Sequence, residues 1–200
     1  MAGEPLISVI VSTYNRPTLL EKTLLSIKAQ SLTEFECLIV DDCSPNAQEN
    51  ENIVKGLNDP RFRYLKTDKN YGHDSHPKNV GIMEAKGTFV SFLDDDDCYR
   101  VDALKILSTY IKEADCDVVY GDYLIGKKPG WSLDFSSSVL QKMNYISMCV
   151  VMVKRTTLFK VGGFDEDVEK FKDWNLWIRI QKSGGVFLHI PIIVSDVMAD

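Results

Sequence analysis

The sequence predicts an α/β domain on a mainly parallel sheet, and three observations carry that prediction. Apolar, β-branched runs alternate with amphipathic stretches of helical period through the first half of the chain. Polar clusters follow three of those runs directly, at Ser12-Thr13-Tyr14-Asn15, Asp41-Asp42 and Asp94-Asp95-Asp96-Asp97. Two hundred residues with 44% hydrophobic and 26% charged content hold enough apolar surface for one compact domain and exclude disordered and fibrous classes. Strands alternating with helices at this spacing form parallel sheets with right-handed crossovers, whose strand carboxyl ends share one edge.

Leu6 to Val11 is the first strand, and after the turn Tyr14-Asn15-Arg16-Pro17 a helix presents Leu20, Leu24 and Ile27 on one face. Phe35 to Val40 is the second strand, closed by Asp41-Asp42 and the breaker Ser44-Pro45-Asn46 ahead of a polar helix from Ala47 to Leu57. Phe62 to Leu65 reads as a short third strand, Asn70-Tyr71-Gly72 as a turn, and Lys78 to Ala85 as a helix closed by Gly87. Thr88 to Leu93 is the fourth strand. An amphipathic helix with Leu104, Leu107 and Ile111 follows, then the strand Val118-Val119-Tyr120. Here the rhythm changes: residues 126–138 are rich in Gly, Pro and Ser and read as an exposed loop or β-excursion carrying Trp131. Val150 to Val153 regains strand character, Thr156 to Val161 is a short helix, and Trp174 to Lys182 is a helix with Trp174, Trp177, Ile178 and Gln181 on one side. No repeat, low-complexity tract or linker divides the chain, so 1–200 reads as a single domain.

The formal charge of −6, with no Lys/Arg stripe, argues against a nucleic-acid binder held by phosphate contacts. Five widely spaced cysteines without a C-x-x-C pair read as reduced thiols of a cytosolic protein. The amino-terminal Met1-Ala2-Gly3-Glu4-Pro5 has no basic n-region, and no run approaches the roughly 18 apolar residues of a membrane span. A cytoplasmic protein is expected, with peripheral membrane association left open.

The four acids at 94–97 are the main chemical signal. Adjacent carboxylates raise one another's pKa, and the remedies are a basic partner, full solvation or a hard cation with oxygen ligands. Only Arg100 is nearby in sequence, and the helix that follows makes a disordered acidic tail a poor reading. The strand end is where open α/β sheets bind ligands. Taken singly, Thr13-Tyr14-Asn15 reads as a turn and Asp41-Asp42 as a helix cap; their convergence with the acids on one edge points to a site.

Five segments in order, Ile7-Ser8-Val9-Ile10-Val11-Ser12-Thr13-Tyr14-Asn15, Ile39-Val40-Asp41-Asp42-Cys43-Ser44, Lys78-Asn79-Val80-Gly81-Ile82 with Ala85-Lys86-Gly87, Phe92-Leu93-Asp94-Asp95-Asp96-Asp97, and Val161-Gly162-Gly163-Phe164-Asp165, resemble the successive motifs of family 2 glycosyltransferases. The resemblance covers nearly the whole chain. It implies a GT-A fold with an acceptor-side α+β extension, residues 1–97 forming a nucleotide-sugar-binding half and 98–200 an acceptor-side half. It also implies a nucleoside diphosphate sugar donor, a Mg or Mn ion, a saccharide or lipid-linked glycan acceptor in polysaccharide or glycoconjugate synthesis, and inversion at the anomeric carbon.

Carried over by residue, the resemblance puts Thr13 and Tyr14 around the nucleobase, with Asp42 accepting from a uracil or thymine imide and Asp41 nearby. A carboxylate suits that N–H, and UDP or dTDP donors are therefore favoured. The D-x-D element falls on Asp94 to Asp96, giving Asp95 the ribose, Asp96 the metal, and Asp94 and Asp97 supporting positions. Lys78 falls near the diphosphate, its alternative being a solvated surface lysine. An inverting transfer also needs a base for the acceptor hydroxyl. Asp173 reads as a helix N-cap on its own, whereas the resembled motif E-D-W-D/E-L-W-x-R makes it that base. Lys172 and Asn175 replace acids of that motif, so Lys172 is expected either to pair with Asp173 or to mark altered acceptor preference, and Arg179 to brace the loop.

His73 and His76 read as residues of a flexible polar loop, His189 as a satisfied strand histidine, Trp174 and Trp177 as core, and Trp131 as an acceptor contact. A catalytically silent nucleotide-sugar-binding module is the rival reading, raised by Lys172 and Asn175. A nucleotidyltransferase is a weaker one, because Ser12-Thr13-Tyr14-Asn15-Arg16-Pro17 lacks the glycines of a phosphate loop.

Overall fold

The computed structural model of the chain describes residues 5–198; Met1 to Glu4, including the amino-terminal segment read above, and Ala199-Asp200 lie outside the described residues. The first half is a run of βα units: β1 (Ile7–Thr13), α1 (Pro17–Lys28), β2 (Phe35–Asp41), α2 (Ala47–Gly56), β3 (Phe62–Lys66), α3 (Ser75–Glu84) and β4 (Phe89–Asp94). Every residue of β1 and β2 is buried, as expected of central parallel strands covered on both faces. These four strands lie in the order β3-β2-β1-β4, all parallel. Register brings Thr13 opposite Asp41 and Ser12 opposite Asp94, so the three polar clusters meet at one edge.

The second half adds β5 (Cys98–Tyr99), α4 (Ala103–Glu113), β6 (Val118–Ile125), β7 (Lys128–Pro129), α5 (Ser137–Leu140), β8 (Val151–Lys154), α6 (Arg155–Val161), α7 (Lys172–Lys182) and β9 (Phe187–Val197). The sheet continues from β4 as β8-β6-β9-β5, with β7 paired to β6. Strand β8 runs antiparallel to both β4 and β6, whereas β9 is parallel to β6. The chain between β6 and β8 therefore leaves and re-enters the sheet at the edge that carries the acids. One apolar core joins both halves, running from Ile7 and Leu38 through Phe92 and Leu104 to Trp177 and Val194.

Several boundaries shift by a residue or more from the sequence expectation, the strand at Val118 runs on to Ile125, and three further differences have a visible cause. Helix α3 starts at Ser75 instead of Lys78, because Pro77 fits a first helical turn, where its missing N–H is not needed. Gly87 does not close that helix; Ala85 follows the last turn in an extended conformation. Gly87 is required for another reason: a Cβ there would lie 2.5 Å from the Ser8 backbone nitrogen, and its own N–H donates to Ser8 Oγ at 2.9 Å. Gly87→Ala is expected to destabilise the fold by about 1–3 kcal/mol through overpacking against β1, read as a lower midpoint in denaturant melts. Asp173 is not an N-cap either. Phe171 takes the cap position, in the left-handed region at φ 56°, which places Asp173 inside the first turn of α7.

Candidate functional site

At the shared carboxyl edge a cavity of about 450 Å³ is lined by Ser12, Thr13, Tyr14, Arg16, Asp42, Asn70, Gly72, His73, Asp74, Pro77, Asp94, Asp95 and Asp96. Five of these are carboxylates and one is a guanidinium, so the wall is strongly acidic. Backbone geometry shapes it. Asn15, Cys43 and Phe171 are non-glycine residues at φ 56°, 57° and 56°, next to Tyr14, Asp42 and the start of α7. Sparsely populated backbone of this kind persists where surrounding contacts hold it. Here Ser44 ties two of the loops together, its Oγ accepting from Asn15 N and its own N–H donating to Asp41.

Asp42, buried at the end of β2, accepts hydrogen bonds from Thr67 Oγ1 and from the backbone N–H groups of Tyr71 and Gly72. A carboxylate offers about four acceptor sites, so three donors orient it and leave room for one more N–H from the cavity. Asp41 is held away from the cavity. It is fully buried and accepts from Ser44 N, Asn50 Nδ2 at 2.7 Å and Tyr64 Oη at 2.8 Å, bracing the turn into α2. The sequence places both acids at the edge, but alternation along the backbone sends them to opposite sides.

Thr13 donates to Asp95 Oδ2 at 2.7 Å, and Arg16 Nη1 lies 3.4 Å from Asp95 and 3.0 Å from Asp96. Burial pushes the Asp95 carboxyl above its ordinary value, against the Thr13 hydrogen bond and the Arg16 charge. Asp97 turns away from the cavity toward Met198 N; burial, then Asp94 and Asp96, push its carboxyl up to about 7. Among the described residues no three His, Cys, Asp or Glu side chains converge to cage a metal ion. That donor set still fits a hard divalent cation, which takes one or two protein carboxylates and completes its shell with phosphate and water oxygens. Asp96 stands at the rim with its side chain 27% exposed and could hold such an ion.

Lys78 lies behind the cavity wall, with a side chain only 3% exposed. It is no solvated surface lysine: its ammonium donates to Asp94 Oδ1 at 2.9 Å and to Asp74 Oδ2. Burial alone would lower its pKa, but Asp94 and Asp74 more than offset that and hold it raised. Asp74 also accepts from Lys172 Nζ at 2.8 Å. Lys172 therefore pairs with Asp74 and not with Asp173.

Burial pushes the Asp74 carboxyl up, yet Lys78 and Lys172 overcome it and hold the group well below the carboxylate range. A depressed carboxyl contributes stability above its unfolded pKa, near ~4, and loses it as pH falls toward the folded value. Asp74→Asn is accordingly expected to melt below the parent at pH 7, with the gap closing as pH drops below about 4.

Asp173 is half-buried, with Oδ2 accepting from Asn144 Nδ2 at 2.7 Å and Oδ1 from the N–H of Trp174 at 2.8 Å. It does not line the cavity, but its neighbour Lys172 touches the cavity wall through Asp74. Trp177 is fully buried with Nε1–H on Ile146 O, and Trp174 Nε1–H donates to Leu140 O, so both are structural. Arg179 donates to Asn175 Oδ1 and to the carbonyls of Val161 and Gly163, pinning α7 to the Gly162-Gly163 turn. Phe164 beyond that turn packs edge-on against Phe92, 5.4 Å between ring centres, so this motif serves the fold.

Sequence reasoning missed three residues. Arg16 sat in a turn with no sign of its target, and Asn144 lay in an irregular stretch 29 positions from the acid it orients. His73, which reads as loop, lines the cavity with a buried Nδ1 that has no partner among the described residues. His76 stacks on Tyr71, 3.5 Å between ring centres, and bonds Glu166. His189 lies between Asp122 and Asp134. Trp131 is 70% exposed, on the loop after β7.

The sequence profile described as "Glycosyl transferase family 2" matches residues 8–165. The chain is 32% identical, over 92% of its length, to the GalNAc(5)-diNAcBac-PP-undecaprenol beta-1,3-glucosyltransferase of Campylobacter jejuni. It spans 62% of that relative. In three dimensions it is similar to Staphylococcus aureus TarS 1-349 in complex with UDP-GlcNAc, with a TM-score of 0.84 at 22% identity over 97% of this chain and 58% of that one. It also resembles the mannosyltransferase PcManGT from Pyrobaculum calidifontis in complex with GDP-Man and Mn²⁺, with a TM-score of 0.77 at 20% identity over 98% of this chain and 57% of that one. At such identities the structural likeness speaks for the fold.

Proposed function

Because the chain belongs to glycosyltransferase family 2 and has the GT-A fold, we propose that it transfers a sugar from a nucleoside diphosphate sugar to an acceptor hydroxyl with inversion, residues 1–200 acting as one domain. The observation that supports this best is the convergence of Asp42, Asp95 and Asp96 on one cavity of about 450 Å³, a size suited to a small ligand. Asp42 keeps one acceptor site for the imide N–H of a uracil or thymine base, which favours UDP or dTDP donors. Thr13 and Tyr14 flank the base, and Asp95, held by Thr13, takes the ribose hydroxyls.

A diphosphate entering a wall of five carboxylates meets repulsion that Arg16 alone does not cancel. Asp96 would hold a Mg or Mn ion, which when bound would supply positive charge to the diphosphate. Asp94 faces the cavity and is held by Lys78, which acts as a counter-charge one layer behind. In the transfer, the acceptor oxygen bonds the anomeric carbon as its bond to the diphosphate oxygen breaks, and the hydroxyl proton passes to Asp173. Asn144 and the Trp174 N–H hold that carboxylate with lone pairs remaining for the proton.

The acceptor in this reading is a saccharide or lipid-linked glycan, and the work is polysaccharide or glycoconjugate synthesis in the cytoplasm, at or near the membrane face. No helix among the described residues is long and apolar enough to cross a membrane. A thermal-shift screen of nucleotide sugars with and without Mn²⁺, followed by nucleoside diphosphate release, tests the proposal. Metal-dependent stabilisation by a UDP or dTDP sugar together with slow release supports it, whereas tight binding with no turnover for any acceptor favours a silent binding module.

A further inference from the structure

Four charges of alternating sign run from the donor cavity to the helix that carries Asp173. Asp94 Oδ1 meets Lys78 Nζ at 2.9 Å, Lys78 meets Asp74 Oδ2, and Asp74 Oδ1 meets Lys172 Nζ at 2.8 Å. The two carboxylates face the cavity, with side chains 43% and 44% exposed, while the two ammoniums lie behind them at 3% and 17%. A buried lysine persists charged only where it is paired, and here one lysine holds two acids and one acid holds two lysines. The chain is therefore a single unit whose members depend on one another.

Its endpoints give it meaning. Asp74 precedes α3, and the Tyr71 and Gly72 amides just before it hold Asp42. Lys172 opens α7 and is the residue before Asp173. The Asp74–Lys172 pair spans 98 positions of sequence and ties the loop that shapes the donor cavity to the first turn of α7. The residue before Lys172, Phe171, is held at φ 56° with its ring 65% exposed and edge-on to Trp174. Lys172, the first residue of the helix entered through that backbone, is tied by its ammonium to Asp74.

We infer that Lys172, through its ion pair with Asp74, is a positioning residue that sets the carboxylate of Asp173 relative to the donor cavity. The inference rests on Asp173 being the base. Two properties follow. First, an acid at 172 damages the site even though the resembled motif has one there, because it would face Asp74 as a like charge. Second, the damage is relieved by neutralising Asp74, which removes the repulsion and leaves the new acid facing Lys78.

The test is kinetic, on the intact chain, with melting temperature checked for each variant and the donor that the thermal-shift screen selects. Lys172→Glu is expected to lower kcat about tenfold, with donor affinity within about twofold of the parent, since Lys172 does not line the cavity. Lys172→Arg keeps kcat. Adding Asp74→Asn to Lys172→Glu raises kcat above that of the single variant, an epistasis that independent structural damage does not produce. In an Asp173→Asn background, Lys172→Glu makes no further difference. If Lys172→Glu does not fold, Lys172→Ala tests loss of the ion pair alone: kcat falls in the otherwise native chain and does not fall further in the Asp173→Asn background, with no relief from Asp74→Asn expected because no like charge has been introduced. A parent-like kcat in a folded Lys172→Glu, no relief from Asp74→Asn, or an undiminished effect without Asp173 overturns the inference and leaves the base assignment standing. Full activity of Asp173→Asn alone overturns the base assignment, and the inference with it.

Discussion

Asp173→Asn is expected to cut kcat by about 10²- to 10⁴-fold, the range that a positioned general base contributes, with little change in donor binding. The substitution keeps the shape of the side chain. Trp174 N–H can still donate to the new amide oxygen, so α7 should remain seated on Trp177 and Leu176, both fully buried. What disappears is the carboxylate proposed to take the acceptor's proton. Single-turnover assays with saturating donor separate this from a binding defect. Turnover equal to the parent would show that another group takes the proton.

The second large effect is expected at Asp96. Asp96→Ala should lower transfer by about 10³-fold or more and remove most of the divalent-ion dependence of donor binding, because an ion held there would stabilise the leaving diphosphate by several kcal/mol. The structure makes the variant informative about charge as well. Arg16 sits 3.0 Å from Asp96 and 3.4 Å from Asp95, so removal of one acid leaves the guanidinium on the other and spares the fold. Titrating Mn²⁺ against UDP affinity in both proteins checks it. An unchanged metal response in Asp96→Ala would move the ion to Asp94 or Asp95.

Much of this architecture is legible in the sequence. The β-branched runs and the 3.6-residue periodicity of Leu20, Leu24 and Ile27 encode βα units locally, and all three helix residues are fully buried. The convergence of Ser12, Asp41 and Asp94 followed from parallel pairing alone, since parallel strands put their carboxyl ends on one edge. Gly87 reads in the sequence as a helix terminator, whereas its constraint is the β1 backbone 79 residues away.

What the sequence by itself determined was the class of fold and the edge at which the polar clusters and acids gather, both consequences of local pattern and strand direction. Only the tertiary structure decided what each charge does. It withdrew Asp41 to a buried brace, gave Arg16 to Asp95 and Asp96, and placed Asn144 on Asp173. It also joined Lys172 to Asp74 across 98 residues. The reason is physical: a side chain's partner is fixed by the packing of elements distant in sequence, and charge pairing acts over a few ångströms of space that no spacing along the chain records.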